Sequence, residues 1–300
     1  MSVKYILYNP NAGGAEAREA IERLQASYDN TIPINICRIT SYQTFFCGLE
    51  KDAAVILCGG DGTLNHFVND TRGLSISNEI YYFPTGTGND FARDLGYERF
   101  ARPAFRVDEQ LKRLPQVTVN GETRLFLNNV GFGIDGYCCE EGDRLREQNA
   151  KSEKPKPINY TQIAISGLLF HFQPRNAVVT VDGQRKTYDR VWLAPVMNGR
   201  YYGGGMMAAP GQDRMNAKGT VSLMVYHGMG KLRALAIFPS IFQGKHVAHK
   251  KYVEILEGKE ITVTFDRSTP LQIDGETIRG VTAYSVSSSA AAAASEEAAV

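Results

Sequence analysis

From Val3 to Leu7 an apolar, β-branched and aromatic run ends at Asn9-Pro10, and Ala15 to Leu24 then spaces apolar residues among charges as one helix face does. That pattern predicts strand, turn, helix. It recurs with Ile32 to Ile39 followed by Ser41 to Leu49, Ala53 to Cys58 followed by Leu64 to Val68, and Ile80 to Phe83 followed by Asp90 to Leu95. Strands alternating with short helices predict an open, mostly parallel α/β sheet whose ligands lie beyond the carboxyl ends of the strands.

After about Pro115 the pattern changes to short alternating runs split by Asn120-Gly121, Asp182-Gly183 and Asp274-Gly275, each between β-type residues. Such dipeptides predict two-residue hairpins and therefore antiparallel sheet. Helical spacing interrupts it near Asp135 to Arg146, Tyr160 to Phe172 and Lys231 to Phe242, and Lys151 to Pro157 reads as an exposed loop. The division expected is an α/β domain over 1–116, an antiparallel β-sandwich domain with inserted helices over 117–286, and a Ser/Ala/Glu tail over 287–300.

Composition narrows the function. Thirty-three basic against 32 acidic residues leave a net charge of +1, which argues against a nucleic-acid binder held by a long row of phosphate contacts. Apolar residues make up 43% of the 300, enough for a sizeable core. No apolar stretch approaches the roughly 18 residues of a membrane span, and Met1 to Asn9 lacks the features of a secretion signal, so a cytoplasmic protein is expected. Five cysteines and five histidines form no CxxC pair or zinc-type spacing, and the cysteines read as reduced, buried hydrophobes.

Four glycine-bearing segments follow or lie near the predicted strands: Asn9 to Gly14, Gly59 to Thr63, Pro84 to Asp90, and Gly131 to Gly136. Glycine lets phosphate oxygens approach backbone N–H groups, and a helix starting there adds N–H donors and a positive dipole end. Turns use the same residues merely to bend and to cap. Asp61 tips the balance for the second segment, because its charge repels phosphate unless Mg²⁺ intervenes. Neither GxGxxG nor GxxxxGK[ST] is present in proper form.

The order NPNAGG, GGDGTLN, PTGTGNDFARDLG, GFGIDG, GGGMMAAP, GKHV and IDGE resembles the soluble bacterial diacylglycerol kinase and lipid kinase family, related to sphingosine kinases. The likeness spans roughly residues 5 to 280. GGDGT is shared with NAD kinases, whereas GTGNDFAR with a late DGE is specific to the lipid kinase branch. The resemblance implies ATP in a cleft between the two domains, lined by Asn9, Pro10, Asn11, Ala12, Gly13, Thr40, Gly59, Gly60, Asp61, Gly62, Thr63, Leu64, Asn65 and Thr87. It further implies Mg²⁺ oriented by Asp61, with Asp90 either bracing that network or capping its own helix. Ile273 to Glu276 resembles the family's catalytic acid motif. Glu276 is the favoured base for a lipid hydroxyl, with Asp274 its partner or orienter and the reverse assignment open.

Two departures bear on the expected metal sites. Val117 to Gly121 holds Asn120 where the family usually carries an Asp, and Asn216-Ala217-Lys218-Gly219 stands where it typically has Asp-Asp-Gly. An ammonium near a cation site costs on the order of 4 kcal/mol at 4 Å, so no second metal site is expected there. A nucleotide- or lipid-binding regulator and an NAD kinase are the alternatives. For the acceptor, Ile158 to Phe172 reads either as an acyl-groove wall or as a core helix, and Lys245, His246, His249, Lys250 and Lys251 read as a headgroup contact or a solvated face. Membrane contact, at the inner face, is expected to be peripheral and reversible. A homodimer is compatible with the sequence.

Overall fold

A computed structural model describes residues 2–10, 12–152 and 158–289. The chain forms two compact units, one up to Arg113 and one from Leu114 on.

The first unit alternates strands and helices in the predicted order: β1 (Lys4–Tyr8), α1 (Gly14–Gln25), β2 (Thr31–Asn35), α2 (Tyr42–Cys47), β3 (Ala54–Gly59), α3 (Asp61–Asp70), β4 (Glu79–Pro84), α4 (Asp90–Asp94), β5 (Phe105–Arg106) and α5 (Asp108–Leu111). Its sheet has the order β2-β1-β3-β4-β5, parallel except where β5 runs back along β4. Every residue of β3 is buried, as a strand covered on both faces requires. Helix α1 buries Ala17, Ala20, Ile21 and Leu24 on one stripe, and Ala20, Ile21 and Leu24 pack against Ile6, Ile56 and Phe83. The second strand ends earlier than the apolar run to Ile39 suggested. The Asn35 side chain accepts the Cys37 N–H at 3.0 Å, and this local bond diverts the backbone from the sheet into a 3-10 turn, Ile36–Arg38.

The second unit is built on an antiparallel sheet of ten strands. In chain order its elements are β6 (Gln116–Val119), β7 (Glu122–Leu125), β8 (Asn129–Gly133), α6 (Ile134–Ala150), α7 (Tyr160–Ser166), β9 (Arg175–Val181), β10 (Gln184–Val191), β11 (Leu193–Met197), the short pair β12 (Tyr201–Tyr202) and β13 (Met206–Met207), β14 (Val221–Tyr226), α8 (Lys231–Ile237), β15 (Val253–Gly258), β16 (Glu260–Ile273) and β17 (Glu276–Ser287). Helix α7 continues into a π-turn, Gly167–His171, and α8 into 3-10 turns Phe238–Gln243 and Lys245–Ala248.

All three Asx-Gly dipeptides close hairpins, with Asn120, Asp182 and Asp274 at φ 51°, 47° and 47°. The order β15-β14-β11-β8-β16-β17-β6-β7 places the last two strands centrally, and β16 also pairs β9 through its first half. Period-two alternation separates two cores. Ala194 and Val196 of β11 and Val221, Leu223 and Val225 of β14 face the core between strand layers. Leu193, Met197, Met224 and Tyr226 face the core beneath the helices, with Trp192 and Leu168.

The strand β17 runs into the segment read as a tail: Ser287 pairs with Glu260 and the Ser288 N–H donates to Lys259 O. Residues 290–300, and 153–157 of the predicted loop, lie outside the described residues.

Candidate active site

In the first unit the carboxyl ends of β1, β3 and β4 are neighbours, so the three loops that leave them converge. Thr85 N–H donates to Gly59 O at 2.8 Å, and the buried Tyr82 hydroxyl donates to the same carbonyl at 3.0 Å. Gly60 and Gly86 approach so closely that a Cβ on Gly86 would lie 2.5 Å from Gly60 Cα. Gly13, at φ 77°, faces Thr85 O, 3.2 Å from where its own Cβ would sit. The Asn9, Pro10, Ala12, Gly13 loop is thereby set beside Thr85, with Ala12 N–H closing a turn on Asn9 O. Asn11 lies outside the described residues.

Asp61 ties two of these loops together. Its Oδ2 accepts the Asp90 N–H at 2.7 Å and its Oδ1 the Phe91 N–H at 3.1 Å. The carboxylate caps α4 from another loop, so the capping role considered for Asp90 falls to Asp61. Asp90 itself is buried, and the bond brings the two residues expected to orient a cation side by side.

Gly13 and Gly60 occupy the N-cap positions of α1 and α3, and among the described residues no side chain caps either start. Gly62, in the first turn of α3, is exposed, and apart from its chain neighbours and the helix's own backbone no described atom lies within 4 Å of where a Cβ would sit. Packing gives no reason for glycine there, although glycine costs about 1 kcal/mol relative to alanine inside a helix. Thr63 lies over Gly59, and Thr87 is exposed at the loop edge. Leu64 belongs to the core: it is fully buried, and its N–H already donates to Gly60 O. Asn65 is buried and accepts from Asn69 Nδ2. Thr40, expected at the end of a strand, is exposed in the loop between the 3-10 turn and α2.

In the second unit Asp274 and Glu276 flank the β16–β17 turn. Asp274 accepts three backbone N–H groups, Leu127 at 2.5 Å, Asn128 at 2.8 Å and Asn129 at 3.0 Å, and its own N–H donates to Asn129 O. Glu276 is half exposed, with Arg124 Nη1 3.4 Å from its carboxylate. Asp274 is therefore held as a clamp on the loop before β8, while Glu276 stands at the surface.

Sequence reasoning missed the link behind this turn. Gln272 Oε1 accepts the Gly275 N–H at 3.0 Å, and its Nε2 donates to Asp135 Oδ2 at 3.3 Å. Burial pushes the Asp135 carboxyl up to about 6 despite the Gly136 N–H and Gln272 donors. A charged residue inside an apolar strand-to-helix passage is the signal that could have found it.

Two other expectations, for the Gly131 to Gly136 segment and for His246, are corrected. The Gly131 to Gly136 segment is no phosphate loop: Cβ atoms at Gly131, Gly133 and Gly136 would collide with Pro195 Cα, Trp192 O and Pro270 O, so these glycines serve close packing. Asn120 occupies an exposed hairpin tip. In the Asp213 to Thr220 loop the Asn216 amide donates to Asp213 O at 2.7 Å and Thr220 O at 2.9 Å, while Lys218 is exposed. His246 leaves the basic cluster: it is fully buried with Nε2 3.0 Å from Ala208 O, and burial lowers its pKa.

Ile163, Leu168 and Phe172 face the core, as a core helix requires. A cavity of about 470 Å³ beside them is bordered by Tyr137, Leu145, Ile158 and His171. Among the described residues no three His, Cys, Asp or Glu side chains are grouped to hold a metal ion, and no helix is long and apolar enough to cross a membrane.

A parallel α/β unit with glycine loops at its strand ends, followed by an antiparallel unit carrying an acidic hairpin, defines a lipid-kinase-like fold. Residues 4–117 match the diacylglycerol kinase catalytic domain, and residues 128–291 match the YegS C-terminal NAD kinase beta sandwich-like domain. The chain belongs to this diacylglycerol kinase-like family of lipid kinases.

It is 27% identical over 200 residues to a diacylglycerol kinase of Mycobacterium tuberculosis, covering 65% of this chain and 61% of that one. It is 23% identical over 283 residues to a diacylglycerol kinase of Bacillus subtilis, covering 90% and 88%. The solved structure of a diacylglycerol kinase from Bacillus anthracis has the same fold, with a TM-score of 0.60, 20% identity, and coverage of 95% of this chain and 93% of that one.

Proposed function

We propose that this chain transfers the γ-phosphate of ATP to the hydroxyl of a lipid, diacylglycerol or a close relative. The observation that carries the reading is the start of α3. An uncapped glycine opens the helix, and Gly62 leaves open space where any side chain would obstruct an approaching anion. Backbone N–H groups there, with the positive end of the helix dipole, suit the phosphate tail of a nucleotide.

The cradle fits ATP better than it fits a metal held by protein alone. Both Asp61 oxygens already accept backbone N–H bonds, which ties the carboxylate to the start of α4. Mg²⁺ fits as an ion carried mainly by the nucleotide's own phosphate oxygens, with Asp61 and Asp90 orienting its water shell. When bound, it neutralises charge on the transferring phosphoryl group.

Glu276 is the proton acceptor in this reading. As the lipid oxygen bonds to the γ-phosphorus, its proton passes to the Glu276 carboxylate, and the bond to the β–γ bridging oxygen breaks to release ADP. Arg124, 3.4 Å away, orients that carboxylate. Asp274 sets the turn on which Glu276 stands.

The test is transfer of radiolabelled γ-phosphate to an extracted lipid panel, with Glu276→Gln and Asp61→Asn alongside the parent. Label in lipid with the parent and its loss with Glu276→Gln is the expected result. Label unaffected by Glu276→Gln removes the assigned base. No label with any lipid and magnesium condition leaves the regulator reading instead.

A further inference from the structure

We propose that the helical layer of the second unit docks on an anionic lipid bilayer, with Phe170 and Leu232 entering the boundary between headgroups and acyl chains. The inference rests on the lipid-kinase reading for its biological sense, although its geometry stands apart from it.

Two observations carry it. Among the described residues, the large apolar side chains most open to solvent are Ile32 and Tyr97 in the first unit and five in this layer: Tyr160, Ile165, Phe170, Leu232 and Phe242. Leu232 is 80% exposed and Phe170 71%, values at which no described residue of the unit covers them. They come from adjacent turns. Lys231 Nζ donates to Leu169 O at 3.4 Å, which holds the start of α8 against the π-turn.

The second observation is charge. Residues 158–174 and 227–253, which supply these five side chains, contain no aspartate or glutamate, although the chain as a whole nearly balances acids and bases; on the adjacent α6, Glu140, Glu141 and Asp143 pair with Arg279, Arg144 and Arg146. The second stretch carries Lys231, Arg233, Lys245, Lys250 and Lys251. Arg233, Lys245, Lys250 and Lys251 are exposed, and the Arg233 guanidinium is anchored over the Tyr252 ring beside its hydroxyl.

Apolar side chains projecting from a cationic helical surface match a bilayer that offers phosphate at its surface and hydrocarbon beneath. A nucleic acid would use the cations and leave Phe170 and Leu232 in water. An acidic protein would need a fitted pocket for them, whereas fluid acyl chains adapt to any shape.

The inner faces of the same elements explain why such exposure is tolerated. Ile163, Leu168, Ala234 and Ile237 already fill the core with Trp192 and Tyr226, so the outward positions owe nothing to folding. Phe170→Ser with Leu232→Ser should therefore leave the fold intact.

The experiment is co-sedimentation of the full chain with phosphatidylcholine vesicles, with and without phosphatidylglycerol, for the parent and the double variant. Expected is binding that requires phosphatidylglycerol, weakens with salt, and falls at least about tenfold in the double variant. Phe170→Trp supplies a second readout, because the chain's one tryptophan, Trp192, is buried and 1% exposed. A blue shift of the new emission on adding anionic vesicles is expected.

Equal vesicle binding by parent and double variant, with no blue shift, overturns the proposal. So does a parent that ignores vesicles yet sediments as a dimer that the double variant abolishes, since a second copy then covers the patch. Phosphate transfer to a short-chain lipid dispersed in detergent separates this failure from that of the kinase reading. The double variant keeps that transfer if the surface only docks. Vesicle binding without any transfer leaves the docking surface standing and removes the kinase.

Discussion

Asp61 accepts the backbone N–H of Asp90 at 2.7 Å, joining the start of one helix to the start of another across a gap of 29 residues. The bond makes the acid of the glycine loop a structural cap before any ligand arrives. Asp61→Ala leaves the N–H groups of Asp90 and Phe91 without this acceptor and is expected to lower stability by about 1–3 kcal/mol. Asp61→Asn, which keeps one acceptor oxygen, should fall between that variant and the parent. Thermal denaturation without nucleotide or Mg²⁺ is the check, and equal midpoints for the parent and Asp61→Ala would refute the cap.

Two glycines near this bond should respond in opposite directions. Gly86→Ala forces a Cβ against Gly60 Cα and is expected to destabilise by about 1–3 kcal/mol. Gly62→Ala meets open space in a helix and should stabilise by about 0.5–1 kcal/mol while weakening ATP binding. Denaturant titration and nucleotide titration on the same preparations separate the effects. Unchanged nucleotide affinity in Gly62→Ala would count against phosphate at the start of α3.

The two acids of the late hairpin should also separate. Asp274→Ala strands three N–H donors and is expected to cost about 3 kcal/mol or more, with activity lost as the turn loosens. Glu276→Gln disturbs an exposed pair worth about 0–1 kcal/mol, so its melting temperature should stay near that of the parent while turnover collapses. A large fall in melting temperature for Glu276→Gln, or none for Asp274→Ala, would reverse the roles assigned here.

Asp135 predicts a pH dependence of stability. The fold prefers its protonated form, so this contribution is fully present below the ordinary carboxyl value of 3.8 and is lost as pH rises through about 6. The loss is on the order of 3 kcal/mol. Asp135→Asn should flatten that part of the profile, relative to the parent, in melts taken between about pH 4 and 8. Parallel profiles for the two proteins would show that the carboxyl does not titrate in this window.

Local chemistry was legible where a few neighbouring residues decide the backbone. Asn120, Asp182 and Asp274 each precede glycine and adopt the positive φ that such turns require. The stripe of Ala17, Ala20, Ile21 and Leu24 likewise announced α1. Asn35 was not legible, because a single side-chain bond to Cys37 overrode an apolar run that continues to Ile39.

The partners of Asp61 and Asp274 lay beyond reach for a different reason. They are backbone N–H groups 29 and about 145 residues away, a type of donor nearly every residue carries, so nothing in the sequence marks them out. The same holds for Gly131 and Gly133, whose spacing mimics an anion loop until Pro195 and Trp192 are seen against them.

The place of β16 and β17 in the sheet has a consequence for how the protein is made. These strands fill the gap between β8 and β6, which emerge from the ribosome more than a hundred residues earlier. Until they arrive, β6 and β8 each lack a hydrogen-bonding neighbour, and closing such distant pairs is slow. A nascent chain can thus assemble its glycine loops early, yet it cannot close the hairpin that carries Asp274 and Glu276 until synthesis is nearly over.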